Sequence, residues 1–378
     1  MQFGLSESQQ ILKSNARKFF AAECPMTEVR RISETETAHD AKLWSKMAEQ
    51  GFLGVVFPEE AGGMGLGCVE LAALAEEMGR ALVPGAFIAN LLGGSAIAGA
   101  GSAKYLREIS DGSKIATLAL LEAGASWDPA AVAMTATDGK LSGEKMFVPD
   151  AGVADVMVVV ARDRGELALC AVDGKSTKKS AMPAMDLTRR LYKVAFDKTP
   201  GELLCRGNSA HKALDHALDT AIIALCAEMT GGMQRTMEIA VEYAKTRKQF
   251  GKPIGQYQAV QHQCADMLLW TESSRSATYY AAYALTEGIK DARAAVSVAK
   301  TYASDACREV GNRGVQVQGG MGFTWENDTH LYYRRAKASE IEFGDATFHR
   351  ERIAKLVVDH ALDQKENAGH IEAVQVGV

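Results

Sequence analysis

The chain has 378 residues, 47% of them hydrophobic, a formal net charge of -5 and a pI near 6.0. That is enough apolar material for two or three packed units, and it leaves no basic surplus for nucleic acid or an acidic membrane surface. Seven cysteines lie scattered, with no CxxC pair and no histidines at zinc-ligand spacing, so they read as reduced thiols rather than a metal site or a disulfide framework.

From Leu5 to about Gly112 the apolar positions recur at helical intervals. Ser6 and Gln9 are spaced as a capping box ahead of Ile11, Leu12, Ala16, Phe19 and Phe20. A glycine-rich stretch from Pro58 to Gly67 interrupts this pattern, as a loop between helices or a ligand-facing loop, and a helix over Val69 to Leu82 follows. The most apolar stretch, Ala86 to Ala100, is shorter than the roughly 20 residues a membrane span needs. The N-terminus has no basic start leading into an apolar run, so the expectation is a cytoplasmic protein without a membrane span.

Between residues 113 and 207 short β-branched runs take over: Ala131 to Thr137, Val156 to Ala161 and Leu167 to Val172, separated by Asp138-Gly139 and Asp163-Arg164-Gly165. Long helical patterns return over Leu214 to Thr246, Tyr257 to Glu287, Ala292 to Arg313 and Thr347 to Ala361, with a polar, frayed tail from about residue 364. The expected class is α+β, mostly α, with a helical domain over 1–112, a β domain over 113–207 and a helical bundle over 208–378. This order excludes an alternating strand-helix fold, and no GxGxxG follows a strand. Met229, Met233 and Met237 form a helical stripe read as core, and His211, His216 and His262 read as packed or solvent-facing.

Two stretches carry chemistry. In the first, a helix ends in Lys245, Thr246, Arg247, Lys248, Gln249, Phe250, Gly251, Lys252 and Pro253, with Gln258 following. These cations complement the helix dipole or, because an arginine fork suits a diphosphate, form an anion site. The second runs from Gly314 through Gln316 to Gly319, Gly320 and Gly322. Glycines there make a helix cap and turn, or allow a ligand to approach the backbone closely.

Together and in this order, the two stretches resemble the RxxFG and QxxGGxG signatures of the acyl-CoA dehydrogenase family. The Pro58 to Gly65 loop, Leu141 to Phe147 and Arg334-Arg335-Ala336-Lys337 extend the resemblance over roughly Leu5 to Ala361. It implies an N-terminal helical domain, a middle β-barrel-like domain and a C-terminal four-helix bundle. It also implies an oligomer in which FAD sits at a subunit interface and an acyl-CoA thioester loses two hydrogens. Arg247, Gln249, Phe250, Gln258, Gln316, Gly319 and Gly320 are then the residues that reach a neighbouring chain's FAD.

The chain departs from that family at the catalytic positions. With Arg334 to Lys337 fixing the register, Phe343 falls where the family keeps its catalytic glutamate, and Ala221 occupies the alternative position. Phenylalanine has no atom to accept a proton. Glu340, Glu342 and Asp345 lie nearby, but on a regular helix or strand the neighbours of Phe343 point away from it. The family's TEPxAGSD flavin cradle reads Leu121 to Asp128 here, and Pro149 replaces a threonine.

The resemblance thus implies a subunit of an α2β2 enzyme of the actinobacterial kind that acts on bulky, steroid-type acyl-CoA thioesters. A partner subunit supplies cradle and base, this chain supplies the diphosphate clamp, and an electron-transfer flavoprotein or oxygen takes the electrons. The alternatives are a homo-oligomer using Glu342, Glu340 or Asp345, a flavin monooxygenase of the same fold, and a scaffold without catalysis. Trp325, Glu326 and His330 form a further cluster, read as pocket wall or interface.

Overall fold

The computed structural model describes residues 4–359. Ser6 and Gln9 make the capping box: Gln9 N–H donates to Ser6 Oγ at 3.3 Å, and Ser6 N–H donates to Gln9 Oε1 at 2.8 Å. Helix α1 (Glu7–Glu23) starts there and is followed by α2 (Met26–Ser33), α3 (Ala41–Glu49), α4 (Cys68–Arg80), α5 (Phe87–Gly99) and α6 (Leu106–Ser110). The glycine-rich stretch between α3 and α4 is a packed loop. The N–H groups of Met64, Gly65 and Leu66 donate to the carbonyls of Gly54, Phe57 and Val55. A Cβ on Gly63 would lie 2.1 Å from the Phe57 carbonyl oxygen, so only glycine fits.

Strands β1 (Ala116–Ala119), β2 (Thr135–Thr137), β3 (Lys140–Pro149), β4 (Val156–Asp163), β5 (Glu166–Asp173), β6 (Lys178–Met182), β7 (Leu191–Pro200) and β8 (Glu202–Arg206) follow. They form one sheet in the order β6-β7-β3-β2-β4-β5-β8, with β1 beside β4. Edge strands β6 and β8 do not pair with each other among the described residues, so the sheet is open rather than a closed barrel. The strand expected from Ala131 begins only at Thr135. Asp128 accepts the Ala130 N–H at 2.9 Å and starts a tight turn over Pro129–Ala131 instead. Strand β4 is buried on both faces: Val156, Val158 and Val160 join the helical core, and Met157, Val159 and Ala161 join a second core within the sheet.

The C-terminal helices are α7 (Asn208–Thr246), α8 (Gln258–Thr286), α9 (Ala292–Gln318), α10 (Thr329–Ile341) and α11 (Ala346–Ile353), with a small hairpin of β9 (Lys248–Gln249) and β10 (Lys252–Pro253) after α7. The first four pack as a bundle. Met229, Met233 and Met237 are buried in the core. Helices α4 and α7 cross with their backbones in contact. A Cβ on Gly79 would meet the Glu228 carbonyl oxygen at 1.9 Å, and one on Gly231 would meet that of Glu76 at 1.8 Å. This crossing sets Glu228 against the chain that leaves α4. Among the described residues no helix is long and apolar enough to cross a membrane. The tail expected to fray from about residue 364 lies outside the described residues.

Candidate functional site

A cavity of about 630 Å³ opens where α5, the sheet and the end of α10 meet. Ile88, Ala89 and Leu92 of α5, Leu118, Leu120, Leu121, Met146, Phe147 and Pro149 give it apolar walls. Trp127 and Phe343 meet edge to face across it with ring centroids 5.5 Å apart, and Phe343 is 2% exposed. The position aligned with the family's base is therefore a packed phenyl ring. Ala221, at the alternative position, is buried in the middle of α7.

Residues 342–345 form neither helix nor strand, which changes where their side chains point. Helix α10 ends at Ile341, Glu342 is extended, Phe343 has φ +59° and Gly344 φ +99°. Glu342 and Phe343 consequently both border the cavity, contrary to the expectation from regular geometry. Asp345 does not: its carboxylate caps α11 by accepting the Phe348 N–H at 2.8 Å, which removes it as a candidate base. Glu340 is taken up by Arg308 and Lys337, each at 2.6 Å. Two buried side chains hold the turn. Lys300 Nζ donates to the carbonyls of Ser339, Glu340 and Gly344 and to Ser304 Oγ, and His349 Nε2 lies 3.0 Å from the Phe343 carbonyl oxygen.

A charged network forms the cavity's polar side. Arg335 donates to Asp186 at 2.6 Å, to Glu228 at 2.9 Å, to the Val83 carbonyl at 3.1 Å and to Thr188. Arg189 pairs with Glu228 and reaches Glu342 at 3.4 Å. Asp150 accepts the Arg190 backbone N–H at 3.1 Å and has no guanidinium of its own. Burial pushes the Asp150 carboxyl up to about 7, against the lowering effect of that hydrogen bond. Burial also raises Glu342, with Arg189 opposing it. Burial would raise Asp186 too, but Arg335 and Arg189 outweigh it and hold that carboxylate low.

The raised Asp150 has a consequence for stability. Its unfolded form ionises near 3.8 and its folded form only at about 7. The folded state therefore binds the extra proton between those values, and stability falls as pH rises through that window. Asp150→Asn is expected to flatten this part of the profile, measured by urea unfolding at about pH 5 and about pH 8. An unchanged slope would show that Asp150 is not the proton-holding group.

In the stretch aligned with the flavin cradle, the one carboxylate that faces inward is engaged within the chain. The Glu122 carboxylate accepts the N–H groups of Ala133 and Met134 and pairs with the buried Lys145 at 2.7 Å. Pro149 has no N–H, and its carbonyl accepts the Thr117 hydroxyl at 2.6 Å. Neither group is available to a flavin ring.

The residues expected to reach a neighbouring chain's FAD are placed differently. Arg247, Gln249, Phe250, Gln258, Gln316, Gly319 and Gly320 are all exposed, and the Phe250 ring is 92% exposed. Among the described residues the Arg247 guanidinium has no hydrogen-bond or ion-pair partner, and no hydrogen bond joins the β9–β10 hairpin to the glycine turn after α9. The structure thus leaves both stretches open and does not join them within one chain. Trp325 stacks on His330 at 4.8 Å with Arg334 over it, as a surface cluster away from the cavity. Asp150, Arg189 and Glu228 were missed in the sequence, because segments far apart in the chain bring them together.

Helical segments before and after an open sheet, an apolar cavity where they meet and an exposed cationic hairpin make up the arrangement. The chain belongs to the acyl-CoA dehydrogenase family: residues 6–112 match the acyl-CoA dehydrogenase N-terminal domain and residues 212–358 the C-terminal domain. FAD is the cofactor; of the groups expected to meet it, Arg247, Phe250, Gly319 and Gly320 are exposed, whereas the Glu122 carboxylate and the Pro149 carbonyl are engaged within the chain. The chain is 32% identical over 338 residues to the acyl-CoA dehydrogenase IpdE2 of Mycobacterium tuberculosis, covering 88% of this chain and 92% of that protein. Among solved structures, it matches a variant of the Tcur3481-Tcur3483 steroid ACAD with TM-score 0.86 and 30% identity, covering 94% of this chain and 99% of that one. It matches the ChsE4-ChsE5 complex from Mycobacterium tuberculosis with TM-score 0.86 and 26% identity, covering 95% and 99%.

Proposed function

We propose that this chain is one subunit of a heteromeric, α2β2 acyl-CoA dehydrogenase of the cytoplasm that acts on bulky acyl-CoA thioesters. The chain donates its clamp to FAD held by a different, partner subunit, which also supplies the carboxylate that takes the α-proton. The observation that carries this reading is the contrast between a cavity that presents the packed Phe343 ring where a base is expected and a cluster around Arg247 left exposed without hydrogen-bond or ion-pair partners in its own chain. Two of the solved structures it resembles are named for pairs of different proteins, and one of those is called a steroid ACAD. Another relative is a subunit of a caffeyl-CoA reductase-Etf complex, which supports an electron-transfer flavoprotein as acceptor.

When bound, FAD takes up the hydride equivalent from the β-carbon. This chain's residues bind and orient. Arg247 offers a planar fork to the diphosphate, Phe250 covers the cofactor with an apolar face, and Gly319 and Gly320 let the backbone come close. Co-expressing the chain with the product of a neighbouring gene and counting flavin tests the reading. One FAD is expected for each pair of unlike chains, and none on this chain alone. An isolated chain that is fully loaded with FAD and turns over substrate would sink it.

A further inference from the structure

Helix α8 carries its bulk on the outside. Apart from Met267, its buried positions are threonine, serine and alanine. Four of its large apolar side chains, Leu268, Leu269, Tyr280 and Tyr283, are instead between 37% and 62% exposed. A helix at a solvent surface normally turns polar residues outward, and an apolar patch left there marks a contact site. Ala265, Leu268, Glu272, Ser276, Tyr280 and Tyr283 follow one another at steps of three or four residues and are all exposed, so they share one face over about five turns. The one charged group among them, Glu272, is paired with Arg275 of the same chain. Two such faces can therefore meet without opposing uncompensated like charges.

The stripe is complementary to itself. A two-fold axis at the level of Ser274 sets two α8 helices antiparallel and places Ala265 opposite Tyr283, Leu268 opposite Tyr280 and Glu272 opposite Ser276. Small then meets large, aliphatic meets aromatic, and a hydroxyl donates to a carboxylate. At the ends Gln261 falls opposite Glu287, where an amide N–H donates to a second carboxylate; both are exposed. A contact between two like copies needs this property, and a contact with an unlike chain does not. The clamp, with Gln258 at the start of α8, serves the unlike chain and leaves the pairing of like chains to another surface.

We propose that the outer face of α8 is the contact through which two copies of this chain meet, antiparallel across a two-fold axis. It joins two unlike pairs into the α2β2 assembly. The inference deepens the heteromer reading and rests on it, since the clamp alone makes a one-to-one pair.

The test is the mass of the co-expressed, FAD-loaded complex in sedimentation velocity, with the ratio of the two chains and the flavin absorbance read on the same sample. Leu268→Glu and Tyr280→Lys each bring two unpaired charges into the contact, one from each copy. Each is expected to weaken it at least about 100-fold, so that the complex sediments at half its mass with its FAD per pair unchanged. Ala265→Glu is expected to do the same, so the outcome does not hang on one position. Combining Leu268→Glu with Tyr280→Lys restores the full mass, because the new charges meet across the axis. Within one helix they lie about 18 Å apart, too far to pair. Full mass in the single variants, loss of FAD together with mass, or half mass in the combined variant would each overturn the proposal. An unmodified complex that separates into single chains sinks the heteromer reading, whereas an unmodified one-to-one pair that does not double sinks this inference alone.

Discussion

Replacing Arg335 by leucine is expected to cost about 3–5 kcal/mol of stability, the range for breaking a buried ion pair by removing one partner. Arg335 lies on α10 and is only 7% exposed. Its guanidinium ties together three parts of the molecule: Val83 after α4, Asp186 and Thr188 ahead of β7, and Glu228 on α7. Its loss leaves Asp186 and Glu228 buried with Arg189 as the nearest remaining cation, which already reaches Glu342 as well. Lysine keeps the charge but cannot span acceptors on three elements, so Arg335→Lys is expected to fall between leucine and the unmodified chain. Urea unfolding of the three proteins gives the comparison. A leucine variant within about 0.5 kcal/mol of the parent, the range of ordinary surface changes, would show that the network is dispensable.

This network also marks the limit of what could be read from the sequence. Helix α10 was not among the helices expected from periodicity. Its buried positions are Thr329, Leu331, Tyr332, Arg335 and Ser339, so its inward face carries an arginine and hydroxyls where an apolar stripe would announce a helix. Helix α7 was legible because its inward face is largely alanine, leucine, isoleucine and methionine at regular spacing. The capping box at Ser6 was legible because it is local. Phe343 could be located by register, but the left-handed turn that brings Glu342 to the same cavity depends on Lys300 and His349, contacts made across the fold.

Removing the Arg247 side chain is expected to weaken FAD binding by the complex roughly 10- to 100-fold, the worth of a charge-assisted hydrogen bond to a diphosphate. The isolated chain's melting temperature should not move, because Arg247 is exposed and its side chain makes no hydrogen bond or ion pair among the described residues that could be lost. That separation identifies a residue built for a neighbour: a structural arginine such as Arg335 lowers stability when removed, whereas a donated one lowers only cofactor content. Arg247→Lys should recover part of the affinity, since a point charge remains but the fork is gone. Phe250→Ala should weaken binding without altering its salt dependence, because the ring contributes cover rather than charge. Flavin absorbance per chain after dialysis, measured alongside thermal unfolding, reads both quantities in one preparation. If Arg247→Ala keeps its flavin, the exposed hairpin is not a cofactor clamp. Its cations would then do no more than balance the negative end of α7.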